Sequence, residues 1–325
     1  MWSDLPRSWF SSFGQAPLLC ILVESKLLEG GVPQRPVAYT DRPRQLRNLR
    51  AALRSLAQRD AWVILHGMAG SGKTVLAAEA LRKASLLNTS FPGGIFWLEV
   101  GPVDRQKLLM KMQNLCSRLD EDKMRPLPRN LEEARDRLKV IFTHQHPRTL
   151  LVVDDLWSPH DARFFDIRAR VLVTTRDVSI ANCVEGKKSR VHVSEEMSNQ
   201  ECLEVLSKWT LKPVTELPNV ADEIIRECNG HPLAISMIGA LLRDHPARWW
   251  YYLSQLRNHK MSKLKSKFAY QYPSLSDAIA MSIGSLSKDL REKYLDFVLF
   301  EASIKVPASV FCLLWCIEVR WGTWR

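Results

Sequence analysis

His66-Gly67-Met68-Ala69-Gly70-Ser71-Gly72-Lys73-Thr74-Val75-Leu76-Ala77-Ala78-Glu79-Ala80 is the stretch on which the fold turns. Within it, Gly67 to Thr74 fits G-x-x-x-x-G-K-[ST], the spacing of a glycine-rich turn whose backbone N–H groups point at the α- and β-phosphates of a nucleotide. Before it, Ala61-Trp62-Val63-Ile64-Leu65 is a short apolar run of strand formers, and after it Val75 to Leu81 continues in strong helix formers without a breaker. Strand, turn and helix form the context that the motif requires. The glycines let backbone approach phosphate, and the helix N-terminus adds partial positive charge. Lys73 is then placed to reach the β/γ-phosphates and Thr74 to ligate Mg²⁺.

Working outward, Gly30 to Pro36 reads as a linker, and Arg44 to Ala57 places Leu46, Leu49, Leu53 and Leu56 on one helical face. A second strand is expected at Ile95 to Val100 after the turn Pro92-Gly93-Gly94, followed by a helix over Lys107 to Leu119. Arg125-Pro126-Leu127-Pro128-Arg129 breaks the chain, and Asn130 with Glu133 caps a helix running through Phe142. Two more apolar strands follow, Leu150 to Val153 and Arg170 to Thr174. Strands alternating with helices predict a parallel sheet covered on both faces. After about residue 195 only helical patterns remain: Asn199 to Trp209, Val220 to Cys228, Leu233 to Leu242 and Arg248 to Leu256.

At 325 residues, 46% of them apolar, the chain has room for about two domains and a sizeable core. Its formal net charge of +11 is spread along the whole length among acidic residues, which describes solvated surface better than a nucleic-acid groove. The densest basic cluster, Arg257 to Lys267, reads as a charged helix end or loop. Seven cysteines with no C-x-x-C pair argue for a reducing, cytoplasmic setting and against a disulfide framework or structural zinc. The apolar run Leu18 to Val23 is far short of a membrane span and lacks the flanks of a signal peptide, so no membrane partner is expected; residues 1–22 carry no functional signal.

Leu150-Leu151-Val152-Val153-Asp154-Asp155 ends an apolar strand in two carboxylates, which suits Mg²⁺ at a sheet's C-terminal edge. Asp154 is the expected metal residue and Asp155 the residue that orients an attacking water. Val173-Thr174-Thr175-Arg176 ends the next strand and brings a guanidinium to the same edge, where it either senses a γ-phosphate or pairs with a rim carboxylate. Cys228-Asn229-Gly230-His231-Pro232-Leu233 is helix punctuation, glycine ending one helix and proline starting the next, with a proline ring that can also pack on a base. No Ser/His/Asp arrangement has supporting context, and the eight histidines show no metal spacing.

Taken in order, GMAGSGKT, LLVVDDLW, VLVTTRD and NGHPLAISMIGALLRD resemble the NB-ARC nucleotide-binding module of signalling ATPases, and the resemblance runs from about Val23 to about Ile317. It implies an α/β fold: a P-loop NTPase parallel sheet domain over 31–195, an all-helical domain over 196–276 and an incomplete winged-helix segment over 277–325 with an atypical tail. Residues 1–30 are an unassigned segment and linker, too short for the recruitment domain of full-length members. Carried over to matching positions, Gly67, Met68, Ala69, Gly70, Ser71, Gly72, Lys73, Thr74 and Val75 hold phosphates and Mg²⁺. Asp154 and Asp155 are the acidic pair, Arg176 the sensor arginine and Pro232 the residue on adenine. Thr40 and Arg42 lie in the segment that borders the base, although Ala38-Tyr39-Thr40-Asp41 departs from the family pattern.

The resemblance further implies a switch rather than a fast enzyme. ADP holds a closed monomer, exchange to ATP or dATP permits opening and homo-oligomerisation, and full-length members activate caspases in apoptosis. The family's ADP-sensing histidine and cytochrome c-binding propellers have no counterpart in the chain, so caspase and cytochrome c binding are not expected of it. Three other readings stay open: a turnover ATPase or small-molecule kinase, a nucleic-acid-stimulated ATPase, and a truncated regulator that binds nucleotide and a full-length relative without recruiting a protease. Multiple turnover, steep salt dependence and co-purification respectively distinguish them.

Overall fold

A computed structural model of the chain describes residues 23–56, 61–194, 196–259, 288–296 and 306–315. Most of the 277–325 segment and all of residues 1–22 lie outside the described residues. A first helix, α1 (residues 23–29), leads through Gly30 into α2 (Pro43–Ser55), which presents Leu46, Leu49 and Leu53 to the interior. The next elements are β1 (Ala61–His66), α3 (Lys73–Leu81), α4 (Ala84–Ser90), β2 (Ile95–Gly101), α5 (Arg105–Leu119), α6 (Leu131–Val140), β3 (Leu150–Leu156), β4 (Arg170–Thr175) and β5 (Lys187–His192).

The strands make one parallel sheet in the order β2-β3-β4-β1-β5. Alternate side chains of each central strand enter different cores. Trp62 and Ile64 of β1, with Leu151 and Val153 of β3, pack against α5 and α6; Val63, Leu65, Leu150 and Val152 pack against α2, α3 and α4. Both faces are therefore dry, which is why these strands read as unbroken apolar runs. Burying each such Val, Leu or Ile contributes roughly 1.5–3 kcal/mol.

Four strands are expected from apolar runs, and the sheet has a fifth. β5, KKSRVH, is an edge strand with mostly exposed side chains, so neither a continuous apolar run nor a clear alternation marks it. The helix expected through Phe142 is α-helical only to Val140 and then widens into a π-helical turn, Ile141–Gln145. Its N-terminus is as read: the Asn130 side chain accepts from the Glu133 N–H at 2.8 Å.

Four helices follow, α7 (Asn199–Thr210), α8 (Val220–Glu227), α9 (Pro232–Asp244) and α10 (Trp249–His259), around a core that includes Leu206, Ile224, Ile238 and Tyr252. At Gly239 a side chain's Cβ would lie 2.7 Å from the Trp209 ring, so glycine sets how closely α9 meets α7. Ala38, in the loop before α2, also belongs to this core. The chain is thus tied to the helical module well before it enters it.

Candidate functional site

The strand order puts β4 between β1 and β3, so the phosphate-loop strand and the Asp154 strand are one strand apart. Their C-terminal ends converge on one cleft of about 730 Å³, lined by Ala69, Gly70 and Gly72 of the glycine-rich turn, by Lys73, Thr74 and Val75 of α3, by Asp154, Asp155 and Arg176 at the sheet edge, and by Pro232, Leu233 and Ser236 from α9, while Gly67, Met68 and Ser71 of the turn do not line it.

On the β1 side, Gly70 and Gly72 hold φ of +72° and +88°, in the left-handed region that disfavours other residues. Gly72 is the N-cap of α3, with no side-chain cap and no acidic residue in the first turn. The helix dipole is thus left unneutralised by α3's own side chains, facing the cleft. Lys73 is buried, and its ammonium donates to the carbonyls of Gly67 at 2.9 Å and Met68 at 2.5 Å, closing the turn into a ring. Burial lowers its pKa, as does the neighbouring Arg176, while Asp155 and Asp154 act in the opposite sense. A cation held against burial is favoured by an anionic ligand beside it.

On the β3 side, Asp154 is buried, and its Oδ1 accepts from Thr74 Oγ1 at 2.9 Å and Thr174 Oγ1 at 2.5 Å. Burial pushes its carboxyl up from the ordinary range, and the two hydroxyl hydrogen bonds offset this only in part. Asp155, the next residue, would face the opposite side of a regular strand. Instead the β3/β4 register shifts between Val153 and Leu156, Asp155 takes φ +53°, and its N–H donates to Thr174 Oγ1 at 2.9 Å. That bulge lets two consecutive carboxylates line the same cleft. Thr174 sits between the two and serves both. Arg176 reaches the cleft from the end of β4, with its guanidinium 4.2 Å above the centre of the Trp157 ring.

The far wall comes from the helical module. Gly230, at φ +61°, ends the turn after α8, and His231 caps α9 by accepting from the Ala234 N–H at Nδ1, 3.5 Å away. With that nitrogen an acceptor, Nε2 carries the proton and donates to the Ala69 carbonyl of the phosphate loop at 3.0 Å. Pro232, Val75, Gly72 and Ser236 line both the phosphate cleft and an adjoining, mostly apolar cavity of about 110 Å³ bounded by Pro36, Ala38, Tyr39, Thr40, Leu76, Met197 and Val205. Polar and apolar halves meeting at Val75 and Pro232 match a phosphate tail continuing into a planar base.

Thr40 and Arg42, both expected at the base, line that cavity. The Lys208 ammonium of α7 lies 3.3 Å from Thr40 Oγ1 and also donates to the Tyr39 carbonyl. The Arg42 guanidinium is spent on backbone: Nη1 donates to Ser71 O at 2.7 Å, and Nη2 to Ser194 O at 2.9 Å and Glu196 O at 3.3 Å. Its main role in the structure is therefore to tie the phosphate loop to the segment leading into α7.

Sequence reasoning brought the glycine-rich turn, Lys73, Thr74, Asp154, Asp155, Arg176 and Pro232 to the cleft. It missed Trp157, Thr174 and Lys208, and it read His231 only as punctuation. Trp157 and Thr174 lie within two residues of singled-out positions, but nothing local tells which way their side chains point.

Mg²⁺ and nucleotide fit what is present. Ser71 Oγ in the turn and Arg42 Nε beside it are buried without hydrogen-bond partners, polar atoms of the kind a ligand satisfies. Thr74 with Asp154 is the sparse oxygen set by which Mg²⁺ is held when phosphates supply the rest. Among the described residues there is no cluster of three or more His, Cys, Asp or Glu, and no helix is long and apolar enough to cross a membrane.

The NB-ARC domain family matches residues 44–214. Among curated proteins, the chain is 44% identical over 300 residues to apoptotic protease-activating factor 1 of Homo sapiens, covering 92% of this chain and 24% of that protein. The Danio rerio protein of the same name is 40% identical over 302 residues with the same coverages, and cell death protein 4 of Caenorhabditis elegans is 25% identical over 310 residues, covering 92% and 56%. Among solved structures, a STAND-class signal transduction ATPase with a tetratricopeptide repeat sensor from Pyrococcus horikoshii superimposes with a TM-score of 0.56 at 16% identity, covering 88% of this chain and 38% of that one. That last likeness speaks to the fold. The chain spans about a quarter of the length of the protease-activating factors it resembles.

Proposed function

The chain belongs to the NB-ARC family, and from that premise we propose that it is an ADP/ATP-responsive switch in apoptotic signalling, its nucleotide state coupled to the closure of the helical module on the sheet domain. The observation that carries this reading is the two-sided cleft. His231 donates to the phosphate loop itself, and Pro232, Leu233 and Ser236 complete the wall opposite Lys73 and Asp154. A ligand held by both domains biases their relative position by its differential affinity for closed and open forms.

In this reading the turn's N–H groups and Lys73 bind the phosphates, Thr74 and Asp154 hold Mg²⁺, and Arg176 reads the γ-phosphate. When bound, Mg²⁺ would supply neutralisation of phosphate charge. Asp155 orients a water, and Val75, Pro232 and the apolar cavity receive adenine. ADP favours the closed form, while ATP or dATP permits opening and assembly with a second copy or a full-length relative. Similarity to apoptotic protease-activating factor 1 and to cell death protein 4 supports the apoptotic context.

The test is the identity and stoichiometry of nucleotide extracted from freshly purified protein, alongside Lys73→Ala and a challenge with excess Mg-ATP. Near-stoichiometric ADP, absent from the variant and slow to exchange, is the expected result. Folded protein that takes up neither ADP nor ATP refutes the reading, and rapid multiple turnover replaces it with an ordinary ATPase.

A further inference from the structure

Trp157 touches both Asp155 and Arg176, which line the cleft, and although it closes the motif LLVVDDLW the sequence gives it no role. Its indole Nε1 donates to Asp155 Oδ2 at 2.9 Å, and its ring face lies under the Arg176 guanidinium at 4.2 Å from centre to carbon. The two contacts use different parts of the ring, so they are made together. Asp155 is itself fixed by the β3/β4 bulge and by its N–H bond to Thr174. The chain of support therefore runs from the buried sheet edge through Asp155 to the indole, and from the indole to the arginine.

We propose that Trp157 is a positioning residue for nucleotide discrimination: a fixed aromatic platform that holds Arg176 at the cleft so that the chain tells a triphosphate from a diphosphate. The inference rests on the switch reading above. A guanidinium held over a ring by cation–π attraction spends none of its N–H groups on the ring's hydrogen-bond acceptors, so two of them remain to meet phosphate oxygens at once. Without the platform, Arg176 is an exposed side chain that must give up its rotamer freedom on binding. Trp157 is 44% exposed, so the contact has the strength of a surface cation–π interaction. Lost platform geometry then weakens γ-phosphate binding about two- to fivefold. A diphosphate, which lacks the group Arg176 reads, is bound as before.

The experiment measures Mg-ATP and Mg-ADP affinities of the full chain, stripped of nucleotide, by calorimetry for wild type, Trp157→Leu, Trp157→Phe, Arg176→Gln and Trp157→Leu/Arg176→Gln. Trp157→Leu is expected to lower the ATP-over-ADP preference about two- to fivefold with ADP affinity unchanged. Trp157→Phe, which keeps an aromatic face but loses the N–H anchor, falls between it and wild type. In the Arg176→Gln background, Trp157→Leu adds nothing further. General loosening of the fold would weaken both nucleotides equally, so equal weakening overturns the proposal. So does an unchanged preference in Trp157→Leu, or an effect that persists without Arg176. Should wild type bind neither nucleotide, the switch reading itself fails, an outcome separate from these.

Discussion

Replacing Gly70 by alanine and comparing it with Gly72→Ala isolates the contact between the phosphate loop and the helical module. Both glycines have positive φ, +72° and +88°, so each alanine carries a left-handed backbone cost of roughly 1–2 kcal/mol. Their surroundings differ. At Gly72 the nearest atom to a new Cβ is Arg42 Nη1 at 3.8 Å, an ordinary contact. At Gly70 the Cβ would lie 2.7 Å from His231 Cε1 and 2.9 Å from Leu233 Cβ, so something must retreat by about 0.7 Å to reach the 3.4 Å at which ordinary contact begins. His231 cannot swing aside cheaply because its ring holds Ala69 O at one nitrogen and the Ala234 N–H at the other. Leu233 Cβ is carried rigidly by the α9 backbone. Overpacking of this kind adds roughly 1–3 kcal/mol, giving about 2–5 kcal/mol for Gly70→Ala against about 1–2 kcal/mol for Gly72→Ala. The relief available is for α9 to move off the loop. Urea denaturation should separate the two variants, and amide hydrogen exchange over residues 231–242 should rise in Gly70→Ala alone. Equal destabilisation with no exchange difference would show that the domains do not meet at this point, and the reasoning would fail.

Three further outcomes follow from the same geometry. Asp154 has a raised native pKa, so between the ordinary carboxylate value near pH 4 and that raised value the native chain holds a proton the unfolded chain has released; stability without nucleotide therefore falls as pH rises through this range. Asp154→Asn should match or exceed wild type in Tm at pH 7 without nucleotide while losing Mg²⁺-dependent stabilisation by ATP, and a lower nucleotide-free Tm would contradict the assignment. Arg42→Lys removes a fork that serves Ser71 O, Ser194 O and Glu196 O, and should cost about 2–4 kcal/mol in urea titrations, whereas a loss below 0.5 kcal/mol would mean the fork is dispensable. Arg137→Met strands the buried carboxylate of Asp120, whose Oδ2 accepts from Arg137 Nε at 2.7 Å, and should cost about 3–5 kcal/mol with nucleotide affinity changed only through stability. Global unfolding free energies and a binding isotherm on the same samples check both halves of that statement.

What the sequence by itself determined was whatever depends on near neighbours. The strand, the turn and the helix around Gly67 to Thr74 are contiguous, so their geometry follows from residue type. The central strands read as apolar runs because both sheet faces are covered, and Asn130 with Glu133 caps α6 within a single turn. The same locality hid β5, whose exposed edge position leaves no apolar signature. Tertiary structure alone decided the rest. The order β2-β3-β4-β1-β5 brings the hydroxyls of Thr74 and Thr174 to one oxygen of Asp154, residues far apart along the chain. A bulge reverses the side-chain alternation that would have turned Asp155 away, and the same bulge gives Trp157 its carboxylate anchor. Arg42 became a tie between the phosphate loop and the segment leading into α7, and His231 a bond from the helical module to that loop, because their partners were brought to them by packing. Residue type states what a side chain can donate or accept; only the folded chain states what lies within 3 Å of it.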